Sequence, residues 1–258
     1  MPVPVVHVQF PTALEATYKR KLIARVHAAH ALLIRRLASL VKARRQAEAD
    51  AKKAERQDAA EPTLADWLKV LEEVRVAYTA ALPPPEDTIN GLARQLDLFT
   101  SGQVSRTIQT VAAIDIGKSP GLTQLYKTWT AGNVDLIRSI DATYFDQIRD
   151  VIYEGVQGGA STSSLVAQLQ ERYSVTRSRA TLIARDQVGK LNGEITMQRQ
   201  TSVGVTRYRW TTSHDERVRP SHRALDGKVF EWANPPPEGH PGYPIQCRCA
   251  AIPIWDDR

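Results

Sequence analysis

From Thr12 to Asp58 the chain contains neither glycine nor proline. It is rich in Ala, Leu, Lys and Arg, which lose little freedom on entering a helix, so the stretch predicts one long helix. Its two halves differ. Leu22, Ile23, Val26, Ala29, His30, Leu33, Leu37, Leu40 and Val41 recur at helical spacing and give the first half an apolar stripe. The second half, "KARRQAEADAKKAERQDAAEP", mixes charges and has almost no large apolar residue. It reads as a solvated extension or linker. Alternatively it is a basic strip in which Lys42, Arg44, Arg45, Lys52 and Lys53 contact nucleic acid.

Helices also dominate the middle of the chain. Thr63, with Asp66 three residues on, predicts a capped start for a second helix, and Pro83 to Pro85 ends it. A third is expected from about 86 to 100 and a fourth from 101 to 113, before the loop "AIDIGKSPG". An amphipathic pattern then runs from 122 to 156. After "GVQGGASTSS", Thr162 or Ser163 can cap a short helix carrying Leu165, Leu169 and Tyr173, with a further helix from about 176 to 201. At Gly204 the character changes: "VTRYRWTT", "KVFEWA" and "CRCAAIPIW" read as strands. The expected fold is mostly α, with long helices and a small α+β C-terminal module of a few short strands. Three regions are expected: an N-terminal helical region over 1–121, a helical part over 122–203, and a β-rich module over 204–258.

Composition narrows the function classes. With 42% hydrophobic and 24% charged residues and no apolar run near the roughly 20 residues that span a bilayer, no membrane segment is expected. The N-terminus carries no secretion pattern, so synthesis in a cytoplasm is expected. A net charge of +6 suits acidic partners, nucleic acid among them. No phosphate-binding loop, nucleophile elbow, HExxH or dinucleotide-binding glycine pattern occurs.

The chemistry-bearing residues gather near the C-terminus. The two cysteines, Cys247 and Cys249, are one residue apart, and a disulfide across that gap would be strained. With His214, Asp215, His222, Asp226 and His240 they form a metal-ligand inventory within 36 residues, counting from 214 to 249. Zinc prefers thiolate and imidazole, and strand alternation would put both sulfurs on one face with Arg248 pointing away. The expected ligands are Cys247, Cys249, His222 and His240, with Asp215 as the alternative fourth, around one structural zinc. The competing reading is that both cysteines simply pack. Asp215, Arg217, Arg219 and Asp226 are expected to form a structural polar network, with Asp215 pairing Arg217 or Arg219. In "ARDQVGKLN", Asp186 and Lys190 can pair four residues apart.

"GGASTSSLVAQL", "RATLIARDQVGKLN", "GVTRYRWTTSHDERVRPSHRALDGKVF" and "PGYPIQCRC", in that order, resemble the minor head proteins of tailed phages in the Mu F-like head morphogenesis family. The shared elements fall on Trp210, Asp215, Arg217, Arg219, His222, Leu225 to Gly227, and Cys247 to Cys249. The resemblance covers about the last half of the chain. It implies a virion component of the phage head or neck, made in the bacterial host cytoplasm, whose partners are the portal protein, other capsid proteins and packaged double-stranded DNA. It implies no catalysis. Two other classes stay open: a metal-dependent hydrolase or nuclease using His214, Asp215 and His222, and a DNA-binding protein using the long basic helix.

Overall fold

The structure is a computed structural model that describes residues 8–53, 63–112 and 122–255. Among them are six helices, α1 (Thr12–Lys53), α2 (Leu64–Ala81), α3 (Pro85–Ala112), α4 (Thr123–Gln157), α5 (Thr162–Thr201) and α6 (Pro220–Arg223). Three strands accompany them, β1 (Arg207–Thr211), β2 (Val229–Glu231) and β3 (Ala250–Ile254). The fold is the mostly helical one expected, with its sheet at the C-terminal end. No described helix is long and apolar enough to cross a membrane.

Glycine and proline explain most of the boundaries. The 12–53 part of the long Gly- and Pro-free stretch is one continuous helix; residues 54–58 and the expected loop at 113–121 lie outside the described residues. The Thr63 hydroxyl accepts from the Asp66 amide, and the Asp66 carboxylate accepts from the Thr63 amide, giving α2 the reciprocal cap that its sequence predicts.

Two expected breaks are absent. The helices expected at 86–100 and 101–113 are one helix, α3, and the short helix near 165 is continuous with the next as α5. In α5 the run of Ser and Thr does not compete with the helix. Ser174, Thr176, Ser178 and Thr181 each donate to the carbonyl four residues back. In α3, Ser101 donates to the Asp97 carboxylate one turn back. Cap-type residues therefore mark a helix start only where no turn precedes them.

The residues group into two compact units. One comprises Arg20–Pro85 and Asp135–Thr181. Its core packs Leu33 and Leu37 of α1, Trp67, Leu71 and Tyr78 of α2, Tyr144, Ile148 and Ile152 of α4, and Leu165 and Leu169 of α5. A buried polar line crosses it: His30 Nδ1 lies 2.9 Å from the Tyr144 hydroxyl and Nε2 lies 3.0 Å from Gln170 Oε1.

The other unit comprises Met1–Lys19, Glu86–Val134 and Leu182–Arg258. It contains the sheet, ordered β2-β1-β3 and antiparallel throughout. In β1, Tyr208 and Trp210 point into the core while Arg207, Arg209 and Thr211 are half-exposed, the period-two pattern of a strand with one buried face. Pro253 sits on the outer strand β3 opposite Tyr208, where its missing N–H costs no central ladder bond. Gln200, buried in α5, ties helix to sheet by accepting from the Trp232 indole and donating to the Ala251 carbonyl.

Candidate metal centre

The C-terminal segment docks on α5 through glycine. A Cβ on Gly193 would meet the Pro241 carbonyl at 2.6 Å, and one on Gly189 the Cys247 carbonyl at 2.9 Å. A Cβ on Gly242 would meet the Gly189 carbonyl on the same helix face at 2.7 Å, and the φ of +91° at Gly242 is one that other residues rarely adopt. Three small residues thus let backbone lie on backbone. One turn earlier, Asp186 accepts from the Gln246 amide at 3.2 Å, and Arg185 donates to the Gln246 side chain at 3.0 Å. These contacts hold Gln246 in a left-handed conformation, φ 56°, directly before Cys247. Asp186 also pairs Lys190 at 2.8 Å, as its spacing predicts.

The turn at Gln246 sends Cys247 and Cys249 inward, with Arg248 between them half-exposed. The inward alternation expected of a strand is present, although β3 begins only at Ala250. Opposite stands His222, presented by the single turn α6, which Pro220 opens, and set edge-on to the Trp210 ring at 5.4 Å. The three side chains are 3 to 5% exposed, and their ligand atoms all lie within 4.8 Å of one another. His222 Nδ1 is 3.6 Å from Cys247 Sγ and 3.4 Å from Cys249 Sγ.

Those separations test the fit of a metal. A tetrahedral zinc with its usual sulfur and nitrogen bond lengths places such atoms about 3.6 Å apart. The three donors therefore fit three of the four positions of a tetrahedral zinc in composition and spacing. Both cysteines are free thiols. A hydrogen bond from Cys249 holds the Cys247 thiol down at about 6; burial opposes this, and the Gly242 and Cys249 amides, each 3.4 Å from the sulfur, add to it. The proton shared with Cys247, together with burial, pushes Cys249 up. The pair thus holds one sulfur ready as thiolate, the form that binds metal.

The other expected residues lie elsewhere. His240 is not in the cluster: its Nδ1 is 3.0 Å from the Tyr208 hydroxyl, and its ring packs against Trp232 and Tyr243. Burial lowers its pKa. Asp215 is not in it either, because its carboxylate binds Arg248. Nor does Asp215 pair with the side chain of Arg217 or Arg219. It accepts from the Arg217 backbone amide at 3.1 Å, and Arg219 donates to the Ile245 carbonyl. Asp226 accepts from the Thr212 amide at 2.8 Å, closing the turn at Gly227. His214 is exposed, 3.7 Å from Asp226. Lys42 is exposed on α1; the side chains of Arg44, Arg45, Lys52 and Lys53 lie outside the described residues.

Sequence reasoning did not single out Gly189, Gly193 or Gly242. The signal was available as two glycines four apart in "VGKLNG", which leave one helix face without side chains.

Residues 146–252, a segment that contains the whole cluster, match the family described as Phage Mu protein F like protein. An uncharacterized protein of Haemophilus influenzae is 36% identical over 195 residues, covering 74% of this chain and 43% of its own length. One of Methanocaldococcus jannaschii, also uncharacterized, is 27% identical over 193 residues, covering 74% and 30%. The chain thus spans less than half the length of these relatives. No solved structure matches it.

Proposed function

We propose that the protein is a minor head component of a phage particle, associating with the portal and the capsid interior during head morphogenesis and DNA packaging or delivery. The carrying observation is the Mu F-like segment at 146–252, folded onto a helical scaffold. Within it, His222, Cys247 and Cys249 would hold one zinc by three of its four positions, and the ion would supply a cross-link between α6 and the chain before β3. The three-stranded sheet packs a small aromatic core of Tyr208, Trp210 and Trp232 that includes both cysteines, and such a staple would tie α6 to it. The long helix α1 carries Lys42 and its basic neighbours toward packaged double-stranded DNA.

The same geometry favours docking over hydrolysis. Arginines line the cavity beside the cluster, and no carboxylate does among the described residues. Of the base candidates in the hydrolase reading, Asp215 binds Arg248, and exposed His214 lies 3.7 Å from Asp226. The carboxylate beside the cluster, Glu238, stands 3.7 Å from His222 Nε2 and is not part of the cavity lining.

Quantitative mass spectrometry of purified virions tests the placement: the chain is expected in the particle at a few copies, and its absence from finished and precursor heads would reject it. Elemental analysis of chelator-washed protein tests the staple. About one zinc per chain is expected, and none would leave the thiols as packing groups.

A further inference from the structure

We infer that the cavity over the cluster is a binding site for a carboxylate, the acidic side chain of a protein partner. The cavity measures about 210 Å³, and Arg185, Arg217, Arg219 and Arg248 all line it. Two of these charges are answered within the fold: Arg185 pairs with Glu15 at 3.0 Å, and Arg248 with Asp215. Arg217 and Arg219 pair with no carboxylate among the described residues. Arg217 is exposed and makes its only described hydrogen bond through the backbone amide.

A concave, partly enclosed surface holding two unanswered guanidinium groups concentrates positive potential. Their forked donors match the two oxygens of one planar anion. The volume suits a single anionic head with a few waters, each taking about 30 Å³.

The surroundings decide which anion. Asp215, Glu216 and Asp226 lie on the segment that carries the arginines, and Glu216 and Asp226 are exposed. A nucleic-acid strand brings a charge at each step, about 3.4 Å apart along the axis, so phosphates flanking one in the cavity would meet these acids. A side-chain carboxylate brings one charge and a neutral backbone. The site needs no metal, and only the partner's identity as a head protein rests on the function proposed above.

The experiment uses the full chain with the metal it carries on purification, in low-salt buffer. Titration calorimetry compares an end-blocked pentapeptide with one central Glu among alanines, its central-Gln counterpart and a 20-base-pair duplex. The Glu peptide should bind with salt-sensitive affinity and the Gln peptide should not. Arg217→Ala should weaken the Glu peptide at least tenfold without lowering the melting temperature, and Arg217→Lys should recover part of the loss. Lys69→Ala, at an exposed lysine of α2 outside the cavity lining, should leave peptide affinity unchanged. Absent binding of the Glu peptide, or binding that Arg217→Ala leaves intact, would overturn the site. Duplex affinity that falls more than peptide affinity in Arg217→Ala would overturn the carboxylate and assign the cavity to phosphate. If the peptide fails while the chain is found in virions, the site falls and the head-protein reading stands.

Discussion

Cys247 and Cys249 show how one residue type is pushed in two directions in one place. The first is held low by its neighbour's hydrogen bond and two backbone amides, the second pushed high by that same hydrogen bond and by burial. If the proposed zinc is held there, removing either sulfur costs metal and fold together: Cys247→Ser is expected to lower the melting temperature by several degrees and to reduce the zinc content of the purified protein, measured by calorimetry and elemental analysis. An unchanged melting temperature would contradict the staple. Gly193 makes a separate prediction. Gly193→Ala sets a methyl against the Pro241 carbonyl and should cost about 1–3 kcal/mol in denaturant unfolding. In the other unit, burial lowers the pKa of His30 below its usual value of about 6.5, so the folded state favours the neutral ring. Its unfolded form binds the proton more readily, so its contribution is present above about pH 6.5 and lost as pH falls below it. His30→Gln should make the decline in melting temperature between pH 7 and pH 5 shallower than in the parent.

Elements were legible where physics is local. Thr63 and Asp66 announce the start of α2, and the alternation of Tyr208 and Trp210 announces β1. Thr63→Ala removes one half of a reciprocal cap and should cost about 1 kcal/mol, read from thermal unfolding. The continuity of α3 and α5 was not legible, because a serine or threonine that caps one helix back-bonds inside another, and only the preceding turn distinguishes them. The candidate site was legible in part for the same reason. His222, Cys247 and Cys249 could be named as residues able to share an ion. Which second histidine faces them depends on how the chain folds back over α5. His240 turns instead into an aromatic nest of Tyr208, Trp232 and Tyr243 that its spacing does not reveal. The pairing of Asp215 with Arg248 rather than Arg217 is likewise a tertiary fact: residues two apart along a turn need not face each other, whereas the cysteine-bearing segment passes directly by.

At the scale of the whole molecule, each unit has its own core, and the Mu F-like segment at 146–252 contributes to both. Composition marks where elements begin and end; it cannot say which distant elements pack together, since a core joins residues from α1, α2, α4 and α5 that lie more than a hundred positions apart. A net charge of +6, a long helix with an exposed Lys42 and an arginine-lined cavity are consistent with the acidic partners proposed above. The most direct test of a role in head assembly is co-expression with the portal protein of the same phage, followed by size-exclusion chromatography with light scattering. Co-elution with the portal oligomer at micromolar concentration, weakened by raised salt, is the predicted result; elution of the chain apart from the portal at every salt concentration would contradict it.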